Sequence, residues 1–124
     1  MTIAYLCIVI SIFIPIGCAA YAKLSTKGYD NANPRAFLKT LQGAGQRADY
    51  AQQNFYETFP AFAVGVVVAH QMQAAQAVID GAAVTYVVAR ILYAVFYIKN
   101  FSTARSFAWT AALVSTLTLY FIGI

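Results

Sequence analysis

No charged residue occurs between Met1 and Ala22, and that stretch constrains the chain more than any other. A helix crossing the hydrocarbon core of a bilayer needs about 20 consecutive, mostly apolar residues. Residues 3–22 supply them, with Pro15 and Gly17 inside, both of which membrane helices tolerate. Three more stretches of similar length follow at residues 47–72, 78–98 and 106–124. The second is polar in its first half and apolar from Phe59 to Ala69. Only 10% of the residues are charged and 61% are hydrophobic, against about 25% charged in soluble domains. A solvated globule is therefore excluded, and with 15% aromatic residues so is a disordered chain. Four spans of about 20 residues leave no room for a soluble domain in 124 residues. The expected fold is an all-α integral membrane protein, a single domain built as a four-transmembrane-helix bundle over residues 1–124. There is no internal repeat and no low-complexity segment.

Residues 14–18, Ile-Pro-Ile-Gly-Cys, faintly resemble a lipoprotein cleavage site, so the first run also invites a reading as a secretory signal. A signal needs a basic region before its apolar core, whereas here the lysines come afterwards. The segment is read as a true span.

Basic residues predict the orientation. The first loop and its edges carry Lys23, Lys27, Arg35, Lys39 and Arg47, the third carries Lys99 and Arg105, and residues 71–77 carry none. Seven of the eight basic residues thus fall on one side, which the positive-inside rule makes cytoplasmic, with both termini facing outward. Spread in this way they form no basic stripe, so the net charge of +4 does not indicate a nucleic-acid partner. In the long first loop, Asn33-Pro34-Arg35 is expected to start a helix, with Asn capping and Pro in the first turn.

An ionisable group inside a span costs roughly 2.5–3.5 kcal/mol on insertion scales, so it is expected to be functional, paired or both. In the second span Arg47, Asn54 and Glu57 lie within an arc of roughly 80° at about 100° per residue. In the third, Arg90, Tyr93 and Tyr97 share one face. Glu57 lies about 15 Å below Arg47, and Arg90 about 13.5 Å below Lys99, at 1.5 Å per residue. Antiparallel spans would bring the two to one level, which predicts an Arg90–Glu57 ion pair. That pair could simply fix the fold. Arg47 and Arg105 at span edges could mark topology or snorkel, and the tyrosines could be interface aromatics. Together these groups form a wet pocket facing the cytoplasm and suited to an anionic, peptide-like ligand. Arginine suits carboxylates, and Asn and Tyr suit amides.

Cys7 and Cys18 are about 16 Å apart along one helix, beyond disulfide reach, and no metal-ligand spacing occurs. His70 is expected at the outer membrane interface, Asp80 as a cap of the third span, and Gly43-x-Gly45 as loop punctuation. Small residues recur every four positions at Ala61, Gly65 and Ala69, at Ala108, Ala112 and Thr116, and at Ala111 and Ser115. Such rows are expected to pack helices closely, within the protomer or at an oligomer axis.

Three motifs in order resemble the MAPEG family, the membrane-associated proteins in eicosanoid and glutathione metabolism. Arg47-x-x-x-Ala51-x-x-Asn54-x-x-Glu57-x-x-Pro60 is similar to its helix II signature. Arg90-x-x-Tyr93-x-x-x-Tyr97, followed by Arg105, is similar to its helix III and IV pattern. Tyr29-Asp30-Asn31-x-Asn33-Pro34-Arg35 resembles the first loop of small bacterial members. The resemblance implies a homotrimer in the bacterial inner membrane, with glutathione as co-substrate and no metal. Arg47, Asn54, Glu57, Tyr93 and Tyr97 would hold glutathione, Arg90 would support Glu57, and Arg105 would be catalytic, stabilising the thiolate. Transfer to a lipophilic electrophile, or reduction of a hydroperoxide, would follow. Several glutathione-using members have a second arginine where this chain has Tyr50, and Asp49 adds a negative charge beside it. A non-catalytic scaffold binding another thiol or a lipid is therefore the alternative. A small multidrug-type transporter is disfavoured because its coupling carboxylate usually sits in the first span, which here has no charge.

Overall fold

Backbone placed away from water must satisfy its own hydrogen bonds, and a helix does so within one segment. In the computed structural model, which describes residues 1–124, the chain is all-α: α1 (Ile3–Leu24), α2 (Pro34–Lys39), α3 (Gly43–Gln71), α4 (Gln76–Ile98) and α5 (Ser102–Phe121). Four of the five helices are long, and α2 is a six-residue turn of helix in the first loop. Asn33 precedes Pro34 at its start, but the Asn33 side chain makes no capping hydrogen bond.

The bounds differ most from the sequence expectation at two starts. Helix α3 begins at Gly43 rather than Arg47, so Gly43 and Gly45 belong to its first turn and not to a loop. Gly45 is small because α1 ends against it: a Cβ there would fall within 3.0 Å of the Ser25 side chain. Helix α5 begins at Ser102, which puts Arg105 near its first turn rather than before it.

Contacts between elements define the packing. Helices α3 and α4 touch each other and both α1 and α5, whereas α1 and α5 do not meet. Thr2 bonds to His70, and Ala4 to Asp80, bringing the start of α1 to the end of α3 and the start of α4. At the other end Arg47 reaches the Ile98 carbonyl. The long helices thus run up and down alternately. Asp80 does not cap α4, which it lies inside. Its Oδ1 accepts from the Ala4 backbone N–H at 2.9 Å and from Gln76 Nε2 at 2.9 Å. It therefore satisfies one of the free donors that every helix start leaves, but on α1. His70, bonded to Thr2, is stacked on Tyr5 at 4.4 Å between ring centroids.

The core sits between α3, α4 and their flanking helices. Phe62 stacks on Tyr86 with centroids 3.7 Å apart and planes 6° from parallel. Val66, Ile79 and Leu119 complete the buried cluster around them. Outside it, α1 exposes Leu6, Val9, Ile10, Ile12, Phe13 and Ile16 in one continuous apolar surface, which water-soluble monomers rarely carry. Helices α1 and α4 are long and apolar enough to cross a bilayer, with mean hydropathy 2.5 and 1.7. Helix α3 carries Arg47, Asp49, Asn54 and Glu57 and is more polar.

The small-residue rows mainly serve packing within the protomer. Ala108, Ala112 and Thr116 are buried, whereas Ala111 is exposed. Gly65 lets α5 approach α3: a Cβ there would meet Tyr120 Cε2 at 3.0 Å and Leu119 Cβ at 3.2 Å. Tyr120 hydroxyl donates to the Ala61 carbonyl at 2.6 Å, one turn away. Gly65→Val is expected to destabilise the protein by about 1–3 kcal/mol through overpacking, read as a lower melting temperature in detergent. An unchanged melt would show that α3 and α5 are not in this close contact.

Candidate functional site

Tyr86, Arg90, Tyr93 and Tyr97 follow one another on α4 at steps of four, three and four, so they share a face. Arg90 is 1% exposed. Its Nη2 donates to Asn54 Oδ1 at 2.9 Å, and Asn54 Nδ2 donates to Glu57 Oε2 at 3.3 Å. The guanidinium also lies over the Tyr93 ring at 4.2 Å and the Phe55 ring at 5.6 Å. The expected direct Arg90–Glu57 ion pair is therefore not formed. Asn54, three residues before Glu57 on the same helix, stands between the two charges. An amide can serve both, because its oxygen accepts from the cation while its nitrogen donates to the carboxylate.

Towards the Ile98 end, Tyr93 and Tyr97 meet edge to face at 5.7 Å, and the Arg105 guanidinium lies over the Tyr97 ring at 4.3 Å. Arg105 has no carboxylate partner, and the ring face is the group that holds it. Asn54, Tyr93, Tyr97 and Arg105 border one open cleft of about 450 Å³, joined by Ser106, Trp109 and Thr110. A cation, a carboxamide and two phenols thus converge there, a set able to bind a polar ligand and to hold an anion at the guanidinium.

Other sequence-predicted residues lie elsewhere in the protomer. Arg47 does not border this cleft: its Nε and Nη2 donate to the Ile98 carbonyl at 3.1 and 2.9 Å, closing the end of α4, where carbonyls lack helical partners. Glu57 is exposed and faces a second cavity, between α3, α4 and α5. Asp49 is buried, and its two oxygens accept from Gln52 Nε2 and Gln53 Nε2, each at 2.9 Å. Its charge turns towards Arg35 and Lys39 across a separate cleft of about 340 Å³, and not towards Arg105. Tyr50 is exposed and approaches Tyr97 at 6.4 Å between centroids.

Sequence reasoning missed Ser106, Trp109 and Thr110, although helical spacing from Arg105 would have found them at one, four and five residues on. It also missed Tyr86, which lies one turn from Arg90 on the same face.

A family model described as the MAPEG family matches residues 1–124, the whole chain. No curated protein and no solved structure matches the chain.

Proposed function

The chain belongs to the MAPEG family, and from that premise we propose that it is a glutathione transferase or peroxidase acting on lipophilic electrophiles or hydroperoxides. The observation that carries this reading is Arg105, a cation held over Tyr97 with no carboxylate to neutralise it, in a cleft open to ligand. A free thiol titrates near 8.5, and a neighbouring guanidinium favours the anion, which is the nucleophile. Asn54, Tyr93 and Tyr97 offer the amide and hydroxyl groups that a tripeptide backbone requires. Glutathione lies between subunits of a homotrimer of four-span protomers. Arg47 takes part there with the donors that its bonds to Ile98 leave free, and Glu57 holds the ligand's ammonium. Asp49, engaged by Gln52 and Gln53, puts no negative charge at the Arg105 cleft. The cleft opens on the cytoplasmic side of the bacterial inner membrane, both termini lie outside, and the lipophilic substrate arrives from the lipid.

Tyr50 favours a second reading, a non-catalytic binder of another thiol or a lipid. It is 43% exposed where several glutathione-using members carry an arginine, and so it supplies no second cation for a carboxylate. One experiment separates the two. Melting the purified protein with and without millimolar glutathione should show a stabilisation of about 2.7 kcal/mol at 100 times the dissociation constant. A well-folded oligomer with no shift would leave the second reading.

A further inference from the structure

Of the residues that border the Arg105 cleft, only Arg105 carries a charge. The other basic side chains are engaged or face elsewhere. Arg90 is 1% exposed and gives its Nη2 to Asn54. Arg47 holds the Ile98 carbonyl with Nε and Nη2. Arg35 and Lys39 border the separate cleft of Asp49, Lys23 lies over the Tyr29 ring at 5.1 Å, and Lys27 and Lys99 are exposed in loops. In a homo-oligomer each site draws on one set of these eight residues, so a neighbouring subunit adds no cation to the count. Negative charge is close by, because the Asn54 amide at the edge of the cleft also holds the Glu57 carboxylate at 3.3 Å.

Glutathione with its thiol ionised has two carboxylates, a thiolate and one ammonium. Glu57 answers the ammonium and Arg105 the thiolate. Arg47 has donors left for one carboxylate, which leaves the second without a cation. Tyr50 stands on α3 three residues after Arg47 and four before Asn54, on the face they share. Its ring is 6.4 Å from that of Tyr97, and it is exposed and uncharged. A carboxylate beside it gives up hydration with no ion pair in return. It also meets Glu57 and the thiolate as like charges. Given the glutathione reading of this cleft, on which the assignment rests, we propose that its preferred thiol carries one carboxylate rather than two. Tyr50 sets that preference.

Trp109 is the only tryptophan of the chain and borders the cleft, so its fluorescence follows occupancy. The full-length protein in detergent micelles would be titrated with glutathione and two analogues. One has the glycine carboxylate replaced by a carboxamide, and the other lacks the γ-glutamyl carboxylate. At least one analogue should bind about two- to fivefold more tightly than glutathione, the scale of one charge at a partly exposed site. In Tyr50→Arg the order should reverse, making glutathione the tightest of the three, because the new guanidinium meets the second carboxylate. Tyr50 is 43% exposed, so this substitution leaves the packed core untouched. Glutathione binding more tightly than both analogues to the native protein would overturn the proposal and keep the glutathione reading. An unchanged order in Tyr50→Arg would do the same. No saturable response to any of the three thiols would sink the glutathione reading, and this preference with it.

Discussion

On the proposed transferase function, replacing Arg105 by leucine should lower the turnover of glutathione conjugation by roughly 30-fold, the loss of thiolate when the thiol returns to its ordinary ionisation. The size follows from what surrounds the guanidinium. It is held over Tyr97 at 4.3 Å, without a carboxylate, in a cleft bordered by Asn54 and Tyr93. Without it the thiol would revert towards its ordinary ionisation near 8.5, and only a few per cent would be nucleophilic at neutral pH. The affinity for glutathione should change much less, because Asn54, Tyr93 and Tyr97 remain. Arg105→Lys should retain part of the rate, since it keeps the charge and loses the planar stacking. Steady-state kinetics, with the ultraviolet absorbance of the bound thiolate, would follow both effects. A leucine variant with normal thiolate absorbance and normal turnover would remove Arg105 from the chemistry.

Asn54→Leu is expected to destabilise the protein by about 3–5 kcal/mol, the cost of stripping a partner from a buried charge. Asn54 Oδ1 is the one hydrogen-bond acceptor that the protomer gives to Arg90, at 2.9 Å. The same amide carries the link to Glu57, so its loss isolates both charges. Adding Arg90→Met should recover most of the loss, because an apolar replacement removes the buried charge that Asn54 serves. Thermal melts of the two single variants and the double variant form a cycle whose coupling measures the interaction. Additive losses would mean that Asn54 and Arg90 act independently.

How much was legible in the sequence depended on whether the signal was local. The absence of charge from residues 1–22 placed α1 closely, and the apolar run of α4 did the same, because lipid-compatible composition is carried by each residue separately. The start of α3 was misplaced because glycine signals a turn from sequence alone, whereas Gly45 is small to accommodate Ser25, just past the end of α1. Asp80 was misassigned for a similar reason: its proximity to the start of α4 suggested a local cap, yet its partner is Ala4, 76 positions earlier. Depth arithmetic brought Arg90 and Glu57 to one level but could not reveal Asn54 between them, since rise along a helix says nothing of which side chain intervenes. Arg47 shared an arc with Asn54 and Glu57, yet it reaches the backbone at the end of α4, a partner without a sequence signature.

That only α1 and α4 are apolar enough to cross on their own has a consequence for biosynthesis. A ribosome delivers α3 before α4, and two polar residues of α3, Arg47 and Asn54, find their partners on α4, at the Ile98 carbonyl and Arg90. Those two groups lack their partners until α4 emerges, so α3 is expected to settle in the membrane together with α4. The polar level of α3 is complete only with α4, the helix that brings Arg90 to Asn54.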